Sequence, residues 1–272
     1  MARSKALLNV LNLVDAANEE LPIEQQFLND LKASIELTEE KEKRLPSKTY
    51  KPSSLHCVRN MYYQVVGYEP VADRASSELV GICESGTDRH DRIQKAIMNM
   101  RNNNINCEYV NVADFVNTRD LQDIDVVSQQ GNETKLFNKE LNMSFLCDGI
   151  IRYKNKYYIL EIKTETSNKF WDRKDVNPDH ILQGTAYSLN FGLEDVLFLY
   201  ECRDNCSKKA FMLHVTDEMR ENLLNKIKEC DNYVESETVP PFPKDLSKHA
   251  CSYCNYSKIC LKSEKGVTFY GY

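Results

Sequence analysis

The chain has 272 residues, 42% of them hydrophobic, with a formal charge of −6 and a sequence pI near 5.5. That length admits one large core, or a core with an appendage. The acidity argues against a general nucleic-acid coat protein but leaves room for an enzyme whose basic surface is local.

The first residues, Met-Ala-Arg-Ser-Lys-Ala-Leu-Leu, are followed by mixed polar residues, and no stretch approaches membrane-spanning length. The expected setting is therefore the cytoplasm, with no membrane partner. Ten cysteines in a reducing compartment are expected to include metal ligands rather than to form a disulfide framework.

Residues 1–50 read as a helical extension. Leu8, Leu11 and Ala16 form one stripe, Pro22 opens a second helix, and the charged run from Glu39 to Arg44 closes it. Such an arm packs on its own core or on a second copy in a homo-oligomer. Residues 51–272 read as the main domain. Pro46 and Pro52 bracket a linker, and Ser53 to Tyr63, with Cys57 inside it, reads as the first core helix. A long helix is expected from Leu79 to about Met100, with Ile93 and Ile97 on one stripe. On it Gly86 offers close approach, and His90 stands one turn further on the same face, where it can look into a site or simply be a satisfied helical histidine. Residues 105–142 hold short strand-like pieces, such as Cys107 to Val112, between Asn- and Gln-rich segments.

Ser144 to Thr164 reads as an antiparallel hairpin, because both arms are rich in β-branched and aromatic residues and Lys154-Asn155 supplies a two-residue turn. If Tyr153 pairs with Lys156, Asp148 lands opposite Glu161, and Lys163 shares their face while Ile162 offers only its carbonyl there. Leu146, Ile150, Tyr157 and Ile159 on that face, and Phe145, Ile151, Tyr158, Leu160 and Ile162 on the other, suggest burial on both sides. Two facing carboxylates among apolar residues repel and are poorly solvated unless a cation lies between them. A hard ion, Mg²⁺ or Mn²⁺, suits oxygen ligands. The competing reading is a pair of solvated carboxylates at a hairpin edge.

Beyond the hairpin, residues 164–175 combine Lys169, Arg173 and Lys174 with Phe170 and Trp171. The cations can pair phosphates and the aromatics can stack on bases, or the loop is simply solvated with its Trp turned inward. Asn177-Pro178 supplies a cap and a first-turn proline for a helix ending at Gly192, on which Gln183 and Tyr187 share a face. Strands at Val196–Tyr200 and Ala210–Val215 follow, and Thr216 caps a last amphipathic helix. Near the C-terminus, Cys251, Cys254 and Cys260 form C-x2-C-x5-C, one thiolate short of the four that zinc or an iron-sulfur cluster usually takes. Cys57 is the candidate fourth, with His56 and His249 as rivals.

Taken together, these pieces resemble the PD-(D/E)XK nucleases, in the RecB-like branch that carries an iron-sulfur cluster. The resemblance rests on Ser53-x3-Cys57, Gly86-x3-His90, Leu-Cys-Asp148-Gly, Glu161-Ile-Lys163, Gln183-x3-Tyr187 and the cysteine triplet, and spans residues 53–260. Within the branch it is closest in pattern to the Cas adaptation exonucleases of CRISPR systems, their phage-borne relatives and AddB-type nuclease domains. Cys147 stands where the family name leads one to expect proline.

The resemblance implies an α/β restriction-endonuclease-like core, a central mixed sheet flanked by helices, with a cysteine cluster joining the two ends of that core. It also implies a bacterial or phage-infected cell, and DNA cleavage, most simply by an exonuclease acting on duplex ends or single strands. His90, Asp148, Glu161 and the Ile162 carbonyl would hold Mg²⁺ or Mn²⁺, with Lys163 stabilising charge and Gln183 and Tyr187 positioning it. Cys57, Cys251, Cys254 and Cys260 would hold a 4Fe-4S cluster, with zinc as the alternative. No helicase motif is present, so unwinding would come from a helicase, recombination or CRISPR-adaptation partner. The competing class is a non-catalytic DNA-binding or assembly module on the same fold.

Overall fold

The computed structural model describes residues 21–41, 46–70, 76–130, 133–243, 251 and 254–263. The chain divides into two compact units, residues 1–44 with 72–85, and residues 45–71 with 86–272. In the first unit α1 (Ile23–Lys41) begins just after Pro22, as the sequence predicts. Lys32 pairs with Glu78 at 2.8 Å, and Glu36 accepts the Ser77 N–H. The stripe of Leu8, Leu11 and Ala16 lies outside the described residues.

The second unit opens with a 3-10 turn at Pro52–Ser54 and α2 (Val58–Val66), so Cys57 is the cap preceding a helix rather than a residue within one. The long helix α3 runs over Ser77–Asn102. There follow β1 (Cys107–Val110), α4 (Val112–Thr118), β2 (Ile124–Gln130), β3 (Glu133–Asn138), β4 (Met143–Cys147), β5 (Gly149–Tyr153) and β6 (Lys156–Glu165). Next come α5 (Ser167–Asp172), α6 (Pro178–Phe191), β7 (Asp195–Cys202), β8 (Lys208–His214), α7 (Asp217–Glu235) and α8 (Ser257–Ser263).

The strands form a five-stranded mixed sheet, ordered β1-β5-β6-β7-β8, and an antiparallel three-stranded sheet, β2-β3-β4. In the larger sheet only β6 and β7 run parallel. The connection between them carries α6, as a parallel crossover requires. One face of the sheet buries Ile150, Ile159, Val196 and Phe198 with Ala186, Tyr187 and Phe191 of α6. The other buries Ile151, Leu160 and Ile162 against Ile93 of α3. Burying both faces makes β6 a central strand, which is why Tyr-Ile-Leu-Glu-Ile is nearly continuously apolar. Gly184 lets α6 lie close on the sheet, because a Cβ there would stand 2.9 Å from Leu213 and 3.1 Å from Phe198.

The turn and register expected for the hairpin are present. Lys154 and Asn155 have φ of 48° and 66°, the geometry of a primed two-residue turn, and Tyr153 pairs with Lys156. The first arm differs from expectation, because it is two strands, β4 in the small sheet and β5 in the large one, broken at Asp148. The Asp148 carbonyl accepts hydrogen bonds from Tyr109 Oη (2.6 Å) and Gln94 Nε2 (2.7 Å). The Tyr109 ring also occupies the place of a side chain at Gly149, 2.7 Å from an added Cβ. Side chains thus satisfy the backbone at the break where a ladder partner would otherwise be needed. In consequence Leu146 is 53% exposed, against the burial its position in a single arm implies.

Candidate metal centre and cysteine cavity

Helix α3 is fixed over the sheet by charge. Arg89 and Arg92 both pair with the fully buried Glu201 of β7, at 3.0 and 2.5 Å, and Arg89 also reaches the Arg203 carbonyl. These pairs aim the next turns of the helix at Asp148. His90 Nδ1 lies 3.1 Å from Asp148 Oδ1, and Gln94, one turn on, holds the Asp148 carbonyl. Gly86 does not provide close approach, since a Cβ there would meet nothing within 4 Å.

Asp148 Oδ2 accepts the Ile162 N–H at 2.7 Å. Ile162 therefore meets the aspartate through its donor, whereas the sequence pattern suggests a role for its carbonyl. Glu161, 3% exposed, accepts Lys163 Nζ (2.6 Å) and Gln183 Nε2 (2.7 Å) on Oε1 alone. Its buried Oε2 has no hydrogen-bond partner. Lys163 Nζ also donates to Gln183 Oε1 at 2.9 Å, Gln183 Nε2 donates to Tyr187, and Tyr187 Oη donates to the Leu146 carbonyl. The i,i+4 pair on α6 thus ties Lys163 and Glu161 to the end of β4.

Glu133, at the start of β3, is the residue that sequence reading missed. His90, Glu133 and Asp148 each place one ligand atom within 4.8 Å of the others. No periodicity marks Glu133. Gln94, by contrast, continues the Gly86, His90 spacing by one more turn and was findable on that ground.

The electrostatics match a centre short of positive charge. Burial raises the Glu161 pKa to about 7, with Asp148 adding to the rise and Lys163 opposing it. Glu133 is raised by burial and then by the Asp148 charge. Burial lowers the His90 and Lys163 values, but the carboxylates beside them prevail, and both end above their ordinary values. A buried carboxylate oxygen without a donor, near a second carboxylate and an imidazole, fits a hard divalent cation.

The four cysteines of the sequence pattern converge. Cys57, Cys251, Cys254 and Cys260 line one cavity with Arg59, Tyr63, Phe242 and Tyr256. Burial raises the thiol pKa of Cys251, Cys254 and Cys260, the last to about 11, and neighbouring cysteines raise each further. Arg59 opposes the rise at Cys260. His56 lines the same cavity, while His249 lies outside the described residues. Four thiols facing one cavity, with a guanidinium beside them that favours the thiolate form at Cys260, suit a thiolate-bound metal group. Cys107, Cys147, Cys202 and Cys230 are buried elsewhere, and Cys83 and Cys206 are exposed.

No protein-family profile matches the chain, and no curated protein matches it. Among solved structures the chain is similar to SSO0001, with a TM-score of 0.46 and 18% identity over 86% of this chain and 96% of that one. It is also similar to an alkaline exonuclease, LHK-Exo, from Laribacter hongkongensis, with a TM-score of 0.44 and 12% identity over 71% and 90% of the two chains. The same exonuclease in complex with dAMP gives a TM-score of 0.41 and 11% identity over 70% and 89%. Among the described residues no helix is long and apolar enough to cross a membrane.

Proposed function

We propose that this chain is a metal-dependent nuclease of the PD-(D/E)XK type, hydrolysing phosphodiester bonds in DNA. The observation that carries the reading is the buried, unpartnered Oε2 of Glu161, on a carboxylate whose other oxygen is held by Lys163 and Gln183 beside Asp148. A buried carboxylate oxygen without a hydrogen-bond donor, beside a second carboxylate and an imidazole, is an acceptor that a hard cation would satisfy.

His90, Glu133, Asp148 and Glu161 would hold Mg²⁺ or Mn²⁺. A divalent ion held there supplies charge that polarises a phosphodiester and lowers the pKa of a water. The chain's own groups do the rest. The Ile162 N–H fixes the Asp148 carboxylate on the strand that bears Glu161 and Lys163. Lys163, kept charged by Glu161, stands ready to donate to an attacking water or to the charge developing on phosphate. Gln183, itself held by Tyr187, fixes the ammonium in that position.

Cys57, Cys251, Cys254 and Cys260 would hold an iron-sulfur cluster, 4Fe-4S as the family resemblance implies, and this group is structural in our reading because it lies among none of the carboxylates. We place the activity in the cytoplasm, at DNA ends or single strands, with exonucleolytic cleavage as the expected mode. The test is purified protein, handled without oxygen, incubated with labelled single-stranded and duplex DNA and Mn²⁺, and the product ends mapped. Cleavage by wild type that Glu161→Gln and Lys163→Ala both lack supports the proposal, and equal cleavage by all three overturns it.

A further inference from the structure

Trp171 is the chain's only tryptophan and is 57% exposed. It does not hang on a loose loop. Its neighbour Phe170 is 1% exposed, packs edge-on against it at 5.1 Å and anchors α5 in the core. Lys209 Nζ donates to the carbonyls of Phe170, Trp171 and Arg173 at 2.7, 3.2 and 2.9 Å, closing the end of the helix, and stands 5.5 Å from the centre of the indole. Arg173 grips Glu165 through Nε (2.7 Å) and Nη2 (2.5 Å) and lies 4.7 Å over the Tyr200 ring. The Ser167 N–H is held by Asp204. An aromatic surface this large, left in water on a helix pinned from several sides, is a pre-organised binding element.

Its place and its charge indicate the occupant. Strand β6 runs from Glu161 through Lys163 to Glu165, and α5 begins two residues later. The three residues from Lys163 to Thr166 span about 10 Å of extended chain. Tyr200, under Arg173, is the direct register partner of Lys163. Lys169 and Lys174 flank the indole, are exposed, and have no ion-pair partner among the described residues. Exposed Asp172 and Asp175 lie in the same segment, and Arg173 is neutralised by Glu165, so the cations left for a ligand here are Lys169 and Lys174, one on each side of the stacking platform in the sequence.

We infer that α5 is a single-strand docking platform, on which a base of single-stranded DNA stacks against Trp171 while Lys169 and Lys174 pair with the adjoining phosphates. The inference rests on the nuclease reading for its choice of DNA, but it makes its own measurement. Because Trp171 is the sole tryptophan, emission excited at a wavelength selective for indole reports this one site.

The probe is a fluorescein-free oligothymidylate for quenching and its labelled counterpart for anisotropy, with the full-length holoprotein and divalent cations withheld so that the strand is not cut. Indole emission should fall and saturate over the same concentrations as anisotropy rises. Trp171→Ala should bind roughly 10-fold more weakly or worse, Trp171→Phe should retain most of the affinity, and K169A with K174A should flatten the salt dependence. Melting temperatures check that the variants remain folded. Unquenched indole at saturating oligonucleotide, an unchanged Kd in Trp171→Ala, or equal quenching by blunt duplex or by RNA overturns the inference. Cleavage with Mn²⁺ is scored separately. Quenching in a protein that never cuts DNA upholds the platform and refutes the nuclease.

Discussion

The Asp148 carboxylate accepts the backbone N–H of Ile162 at 2.7 Å, and so is fixed to the strand segment between Glu161 and Lys163. One bond therefore sets the spacing of three chemical groups that the sequence separates by as many as 15 positions. An asparagine at 148 can still accept that bond but brings no charge. Asp148→Asn should keep the wild-type melting temperature within a degree or two in metal-free buffer and lose metal-dependent cleavage by about 100-fold or more, as should Glu161→Ala and Lys163→Ala. Full activity in all three, with contaminating nuclease excluded, would remove the site from the chemistry.

Glu133 reaches the centre from the other sheet. If it is a ligand, Glu133→Gln should weaken Mn²⁺ binding, measured calorimetrically, by more than the roughly 10- to 100-fold typical of groups that merely support a ligand. His90→Ala should weaken it too, yet spare more activity than loss of Asp148 or Glu161, and excess Mn²⁺ should partly restore it, because a neutral imidazole brings no charge to a hard ion. Wild-type affinity in Glu133→Gln would leave His90, Asp148 and Glu161 as the set.

His180 yields a pH dependence that can be assigned to one group. Burial, and then the charges of Lys163 and Arg173, hold its pKa down to about 3, against 6.5 when unfolded. Its ring stacks on Phe198 and Tyr200, with Nδ1 3.0 Å from the Tyr200 hydroxyl. A depressed histidine stays neutral in the folded chain while the unfolded chain takes up a proton. Its contribution to stability is therefore intact above pH 6.5 and is lost as pH falls toward 3, reaching about 2 kcal/mol by pH 5. His180→Phe keeps the stack and removes the titration. The drop in melting temperature between pH 7.5 and pH 5 should be smaller in that variant than in wild type, and equal drops would show that His180 is protonated in the folded state.

What could be read in advance follows the range of the interactions. The caps of α6, Asn177 accepting the Asp179 N–H and Gly192 at φ 64°, and the cap of α7, Thr216 accepting the Met219 N–H, are local chemistry and were legible. So was the register of β5 on β6, set by a two-residue turn. The break at Asp148 was not, because it depends on Gln94 and Tyr109, 54 and 39 residues away, satisfying a single carbonyl. Glu133 was invisible for the same reason. The residues around Trp171 were legible as chemistry but not as orientation. It is burial of Phe170 and the three carbonyl bonds of Lys209 that turn the indole outward.

The cysteines allow a prediction that depends on where they lie in the chain rather than on any reaction. Cys57 precedes α2 at the opening of the second unit, and Cys251, Cys254 and Cys260 come near its end, yet all four line one cavity. A metal group bound to them closes a loop of roughly 190 residues. The cross-link entropy model assigns such a loop on the order of 5 kcal/mol, an upper figure because denatured chains keep some structure. That rivals the whole stability of many domains. If the group is the iron-sulfur cluster proposed above, the protein should be brown as purified without oxygen, with about four irons and four acid-labile sulfides per chain. Cys57→Ala should lower cluster content and melting temperature together, and lower cleavage mainly through the folded fraction. Asp148→Asn and Glu161→Ala should stay as brown as wild type, since neither carboxylate lines the cavity. Colourless protein with stoichiometric zinc would refute the iron-sulfur assignment while keeping the four thiolates as ligands. A Cys57→Ala protein with full cluster and unchanged melting would remove Cys57 from the ligand set and leave the fourth position to its rivals His56, which lines the cavity, and His249.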